Sequence, residues 1–251
     1  MNAAGTAALL VEARRSGRRI GTLDGDLLPL TVADAYAVQD EVMRLLGIAP
    51  AGWKVGGADP KAEPIAAPML TGLVMTSPAR IAAPPESFRG VEAELAVSLA
   101  RDLPPRGGGY SDDAAWDAVG GVHVAIEFLD NRYANRRAMS AAALLADNQS
   151  NGGFCYGPAN PVAAVDFLAA QALLLIDGKE VKHAVGGNPA GHPKRLLGWL
   201  ANHAATRGKP LTAGTIVTTG SHTGITIAPP GARVTVRFAG LGEAVLDLAT
   251  G

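Results

Sequence analysis

The sequence contains a single cysteine, Cys155. One thiol closes no internal disulfide and builds no zinc cluster, which fits a reducing compartment such as the cytoplasm. Aromatic residues make up only 5% and the formal net charge is -1. With no basic stripe along the chain, a nucleic-acid-binding surface is not expected. No apolar run approaches the roughly 20 residues that span a bilayer, so no membrane contact is expected either. The opening stretch MNAAGTAALLVEARRSGRRI lacks the charge-then-apolar order of a secretory leader, and Glu12 with helical apolar spacing points to an ordinary helix. A Gly-Lys-Ser/Thr phosphate loop, a dinucleotide fingerprint and a Gly-x-Ser-x-Gly elbow are all missing. So is any long internal repeat.

What is present predicts a folded protein. Hydrophobic residues make up 48% and charged residues 18% of 251, enough for a substantial core. Helices are expected over 6–16 and from Thr31 to Gly47, the second opened by a Thr31/Asp34 capping box. A Gly-rich turn, GWKVGG, surrounds Lys54, and proline is frequent from 60 to 85. A boundary near 84–87 divides a mainly helical region, 1–84, from a β-rich core, 85–251. In the core, GGVHVAIEFLD alternates like a strand. QALLLIDGKEV carries a tight hairpin at Asp177-Gly178. HPKRLLGWLANHAATRG reads as a helix. GTIVTTG, ARVTVRF and EAVLDL read as short strands, the last two joined by AGLG. The class is α+β.

The stretch RGVEAELAVSLARDL holds two glutamates in an apolar run. Propensity leans slightly to helix. The preceding prolines, Gly90 and the small residues following the glutamates on their own face favour a strand. On a strand, Glu92 and Glu94 point the same way with Cα atoms roughly 7 Å apart. On a solvated face they need no partner. In a pocket they repel each other and lose hydration, a cost that a divalent cation removes. Glu127, on the polar face of the next strand, offers a third carboxylate. All-oxygen ligation suits Mg²⁺ or Mn²⁺ better than Ca²⁺.

GWKVGG, VEAELAVSLARDL, AIEFLDNR, ADNQSNGGF, GHPKRLLGWLANHAATRGKPLTAGTIVTTGSHTG and VRFAGLGEAVLDL occur in this order. Over roughly residues 31–250 the chain thereby resembles the 2-oxopent-4-enoate hydratase and 4-oxalocrotonate decarboxylase family of the fumarylacetoacetate-hydrolase-like superfamily. The resemblance implies a small N-terminal helical region followed by a mixed, curled β-roll. It implies Glu92, Glu94 and Glu127 as ligands of Mg²⁺ or Mn²⁺, Lys54 beside a 2-oxo acid substrate, and Ser221 near the substrate carboxylate. It implies a lyase of short unsaturated 2-oxo acids, a hydratase foremost, with a decarboxylase as the alternative. The implied assembly is a homodimer or a larger set of dimers, with a related decarboxylase or hydratase as a further potential partner. One departure stands out: Met69 occupies the place of an acidic residue in characterised hydratases.

Several further residues carry two readings each. His222, in GSHTG, either supplies the missing acid–base function or hydrogen-bonds locally. Asp147 and Asn148 either anchor a loop on the substrate side or satisfy their own backbone. Gln39 either reaches the site or is tied to backbone in the core. His123 lies roughly 13 Å along the strand from Glu127, too far for a shared ion. Asp130 and Arg132 form a candidate pair at a strand end. His192 with Pro193 reads as a helix start, and Gly186-Gly187 as a flap. A hydrolase of acylpyruvates or β-diketo acids is a rival reading, with His123 or His222 as its base. So is a catalytically idle partner that binds a 2-oxo acid.

Overall fold

The computed structural model describes residues 1–84 and 86–250. Helix α1 (Ala3–Ser16) starts at Asn2, whose side chain accepts from the Gly5 N–H, and stops at left-handed Gly17. Helix α2 (Val32–Leu46) has the expected capping box, Thr31 with Asp34, and ends at left-handed Gly47. Four strands follow: β1 (Pro50–Gly56), β2 (Ile65–Leu70), β3 (Val74–Thr76) and β4 (Ala79–Ala82). They correct the expectation of a mainly helical segment through residue 84. The boundary expected there touches Pro85, which lies outside the described residues, as does Gly251.

Strand β5 (Gly90–Leu99) resolves the glutamate stretch in favour of extended chain. After α3 (Asp112–Trp116) come β6 (Val119–Leu129), α4 (Ala141–Ala146), β7 (Asn151–Asn160), β8 (Gln171–Ile176), β9 (Lys179–Val185) and α5 (Lys194–Thr206). Strands β10 (Ile216–Ser221), β11 (Thr226–Ile227), β12 (Arg233–Phe238) and β13 (Gly242–Ala249) complete the order. The β8–β9 hairpin turns at Asp177 and Gly178, both left-handed, as the Asp-Gly pair predicts.

One mixed sheet has eight strands, in the order β2-β1-β10-β5-β6-β7-β3 with β11 also on β5; the other has five, β4-β13-β12-β8-β9. Pleat alternation divides β5. Val91, Ala93, Leu95 and Val97 join Val122, Val124, Ile126 and Phe128 of β6 and Leu174, Val234, Val236 and Leu246 of the second sheet in one core. The even-numbered residues of β5 face the other way. A separate cluster of Leu10, Val38, Val42, Tyr133 and Leu145 holds α1, α2 and α4 together. Among the described residues no helix is long and apolar enough to cross a membrane.

Candidate active site

The register of β5 against β6 sets Glu92 directly opposite Glu127, with Glu94 opposite Ala125. Like charges facing each other across a pair of strands are destabilising unless something intervenes. One carboxylate oxygen from each of Glu92, Glu94 and Glu127 lies within 4.8 Å of the others. Glu94 and Glu127 are 1% and 3% exposed. Burial, then repulsion from Glu127, pushes the Glu92 carboxyl up to about 7. Burial followed by repulsion from Glu127 and Glu92 holds Glu94 well above the ordinary carboxylate range. The trio is thus costly by itself.

Lys54 stands against it. Strand β1 pairs in parallel with β10, placing Lys54 beside Thr218, and the sheet's curl brings its ammonium onto Glu127. The same Nζ donates to the Gln149 carbonyl at 2.8 Å. The Thr218 hydroxyl donates to Glu94. Ser221 hydrogen-bonds Glu92 and accepts from the Gly224 N–H at 2.9 Å. These groups line a cavity of about 250 Å³, small beside the roughly 300–1,000 Å³ usual for ligand pockets. Arg136, Leu129, Gln149, Asn188 and Ile225 are among its other walls.

Gln149 comes from an unusual turn. Asn148, Gln149 and Ser150 have φ of 51°, 52° and 60°, three successive non-glycine residues in the left-handed region. Each such residue costs on the order of 1–3 kcal/mol and persists only where neighbours enforce it. Asp147, fully buried, accepts from both the backbone N–H and the Nε of Arg132, and pairs with Arg14 at 3.1 Å. Arg14 also donates to the Asn151 carbonyl, and Asn148 donates to the Pro68 carbonyl. Burial, with repulsion from Arg132, lowers the Arg14 guanidinium to about 9. Asp147→Asn removes the carboxylate that pairs with two buried guanidiniums, Arg14 and Arg132. Urea denaturation is expected to show a loss of about 3–5 kcal/mol.

The structure therefore gathers Lys54, Glu92, Glu94, Glu127 and Ser221 and sets four other candidates apart. His222 is 4% exposed and packs edge-on against Phe238 at 5.0 Å, away from the cavity; burial lowers it to about 4, so it is neutral. Its assignment as an acid–base residue is corrected. Gln39 is fully buried, donating to the Ala66 and Leu145 carbonyls, and does not line the cavity. Asp147 and Asn148 hold the turn from behind and do not line the cavity either. Asp130 pairs with Arg19, not with Arg132. His123 is held by Gly157 O and Ser98 Oγ, both at 2.9 Å. Met69 is buried with Ala96, Ala125, Phe154 and Ile216. Thr218, Gln149 and Arg136 were missed. A register shift between Thr218 and Ser221 hides the first from simple alternation.

Three converging carboxylates, a buried ammonium and a curled mixed sheet define a class: residues 60–248 match the fumarylacetoacetate (FAA) hydrolase C-terminal family, and the chain belongs to it. Within it, the chain is 34% identical over 155 residues to a 4-oxalocrotonate decarboxylase of Pseudomonas putida. That match covers 61% of this chain and spans only 57% of the relative's length. It is 32% identical to 2-keto-4-pentenoate hydratase 1 of Dechloromonas aromatica (strain RCB), over 94% of this chain and 93% of the relative. The 4-oxalocrotonate decarboxylase from Pseudomonas putida G7, solved with magnesium and adipate, superposes with a TM-score of 0.84 at 25% identity. That superposition covers 98% of this chain and 97% of the other.

Proposed function

We propose that the chain is a divalent-cation-dependent lyase of short unsaturated 2-oxo acids, in the first place a hydratase of the 2-oxopent-4-enoate type. The observation that carries this is the buried trio Glu92, Glu94 and Glu127, facing Lys54 in a small cavity. The donor set fits the ion: three carboxylates, two of them held above their ordinary range, gain most from a hard dication such as Mg²⁺ or Mn²⁺. Glu92, Glu94 and Glu127 would hold such an ion, which would supply positive charge toward the oxygens of a 2-oxo acid.

The chain's own groups do the rest. Thr218 fixes the Glu94 carboxylate, and Ser221 fixes that of Glu92. Lys54, anchored by the Gln149 carbonyl, offers a proton from the floor of the cavity. The single Ser221 O–H would turn from Glu92 to an incoming carboxylate when substrate binds. The narrow cavity limits competing water.

A decarboxylase is the second reading, and the burial of Met69 favours it. Adding water across a double bond needs proton handling at both oxygen and carbon. Loss of carbon dioxide needs a proton only at carbon, which Lys54 alone can serve. A hydrolase needs a base to activate water, and no histidine lines the cavity among the described residues. The resemblance further supports a homodimer or an assembly of dimers, which sedimentation measures. The lone buried thiol of Cys155 supports a cytoplasmic setting.

With Mg²⁺ or Mn²⁺, the protein is expected to bleach the ultraviolet absorbance of 2-hydroxypenta-2,4-dienoate. Bleaching of an oxalocrotonate with release of carbon dioxide selects the second reading. Turnover of an acylpyruvate alone contradicts both.

A further inference from the structure

Besides Lys54, a second cation borders the cavity. Arg136 lies in a single 3₁₀ turn, Arg136–Ala138, and is half-buried. Its Nε is buried with no hydrogen-bond partner. No carboxylate among the described residues lies within ion-pairing distance of it. The guanidinium sits over the Phe88 ring, 5.0 Å from its centroid. Phe88 is itself fixed. Its N–H donates to Asp130 at 2.9 Å, and its ring occupies the space over Gly90, where an added Cβ would lie 2.7 Å from it. The same Cβ would lie 3.1 Å from Ile225 and Leu129, the apolar walls of the cavity.

The cavity therefore has a direction. At its floor Glu94, Glu127 and Lys54 are at most 6% exposed; at its mouth Ile225 is 41% exposed and Arg136 half-buried. A 2-oxo acid offers its carboxylate and keto oxygen to the floor. A partly desolvated, aromatic-stacked guanidinium with no ion-paired carboxylate among the described residues is arranged for an anion that arrives with the ligand. We propose that Arg136 reads a second carboxylate at the far end of the substrate, so that the reaction type proposed above runs best on a longer, dicarboxylic relative of 2-oxopent-4-enoate, and a 2-oxo dicarboxylate binds more tightly than the monocarboxylate of the same length. This rests on the 2-oxo acid reading above and is independent of whether water adds or carbon dioxide leaves. The competing role for Arg136 is purely electrostatic: it also favours the charged form of Glu92.

Two saturated six-carbon acids separate these roles without turnover. 2-Oxoadipate and 2-oxohexanoate differ in the distal carboxylate alone. Titration calorimetry on the Mg²⁺-loaded protein is expected to show an affinity about 10–100-fold higher for 2-oxoadipate, the range of one charge-assisted hydrogen-bonded contact. Arg136→Met should cut that preference to within about 3-fold while leaving 2-oxohexanoate binding and the melting temperature unchanged. Arg136→Lys should keep part of it, since an ammonium lacks the bidentate fork. Equal binding of the two acids by the unmodified protein overturns the proposal and leaves the lyase reading standing. An equal weakening of both acids in Arg136→Met also overturns it and assigns Arg136 to Glu92. Binding of neither acid overturns the parent reading together with this one.

Discussion

Replacing Glu94 with glutamine is expected to abolish divalent-cation binding while raising the stability of the cation-free protein. Glutamine keeps the shape and an oxygen that accepts from Thr218, and its NH₂ can donate toward Glu92 or Glu127. What disappears is a buried charge held at close range to two others. Affinity for Mg²⁺ or Mn²⁺ should fall at least about 100-fold, more than the usual loss of a supporting contact around a metal. The cation-free melting temperature should rise by about 2–5 °C, corresponding to roughly 1–1.5 kcal/mol in a chain of this size. The pH dependence carries the same sign. Glu92 has a folded-state pKa of about 7 against an ordinary 4.5, so its contribution to stability is full below the lower value and lost as pH rises through the upper one. The cation-free protein should therefore lose stability between about pH 5 and 8, and added Mg²⁺ should restore most of it at the alkaline end. Scanning calorimetry with and without Mg²⁺ at both pH values measures this. An unchanged Mn²⁺ affinity in Glu94→Gln would remove Glu94 from the ligand set.

Much of this site was legible in the sequence because sheet geometry is periodic. Strand alternation is enough to put Glu92 and Glu94 on one face, and an adjacent alternating strand supplies Glu127. The capping box of α2 and the Asp177-Gly178 hairpin are equally local, and both are present. The failures are long-range. Residues 50–82 fall inside the segment expected to be mainly helical, because their prolines and short apolar runs carry little strand period. Their strand character comes from pairing with β10, β7 and β13, far along the chain. His222 follows directly on Ser221, yet its ring goes into the core against Phe238. Gln149 has no sequence signature, since its left-handed conformation is imposed by Asp147 and two arginines from distant segments.

Lys54→Met is expected to do the opposite of Glu94→Gln on cation binding and to cut turnover sharply. Lys54 and a dication compete for the Glu127 carboxylate: the ammonium pairs with it in the cation-free protein. Methionine fills a similar volume without a charge, so the affinity for Mg²⁺ or Mn²⁺ should hold or increase. The cation-free fold should lose stability, because three clustered carboxylates then have no cation in direct contact. Turnover of the best substrate should drop about 10²–10⁴-fold, the usual contribution of a positioned acid–base group. The loss should appear in kcat more than in KM, since the acidic trio that would hold the cation and the Ser221 hydroxyl beside it are untouched. Adding primary amines such as ethylamine should restore part of the rate if the missing function is proton transfer at the Nζ position. Full activity in Lys54→Met, with the cation bound, would mean that the reacting proton travels by another route and that Lys54 serves only to neutralise Glu127.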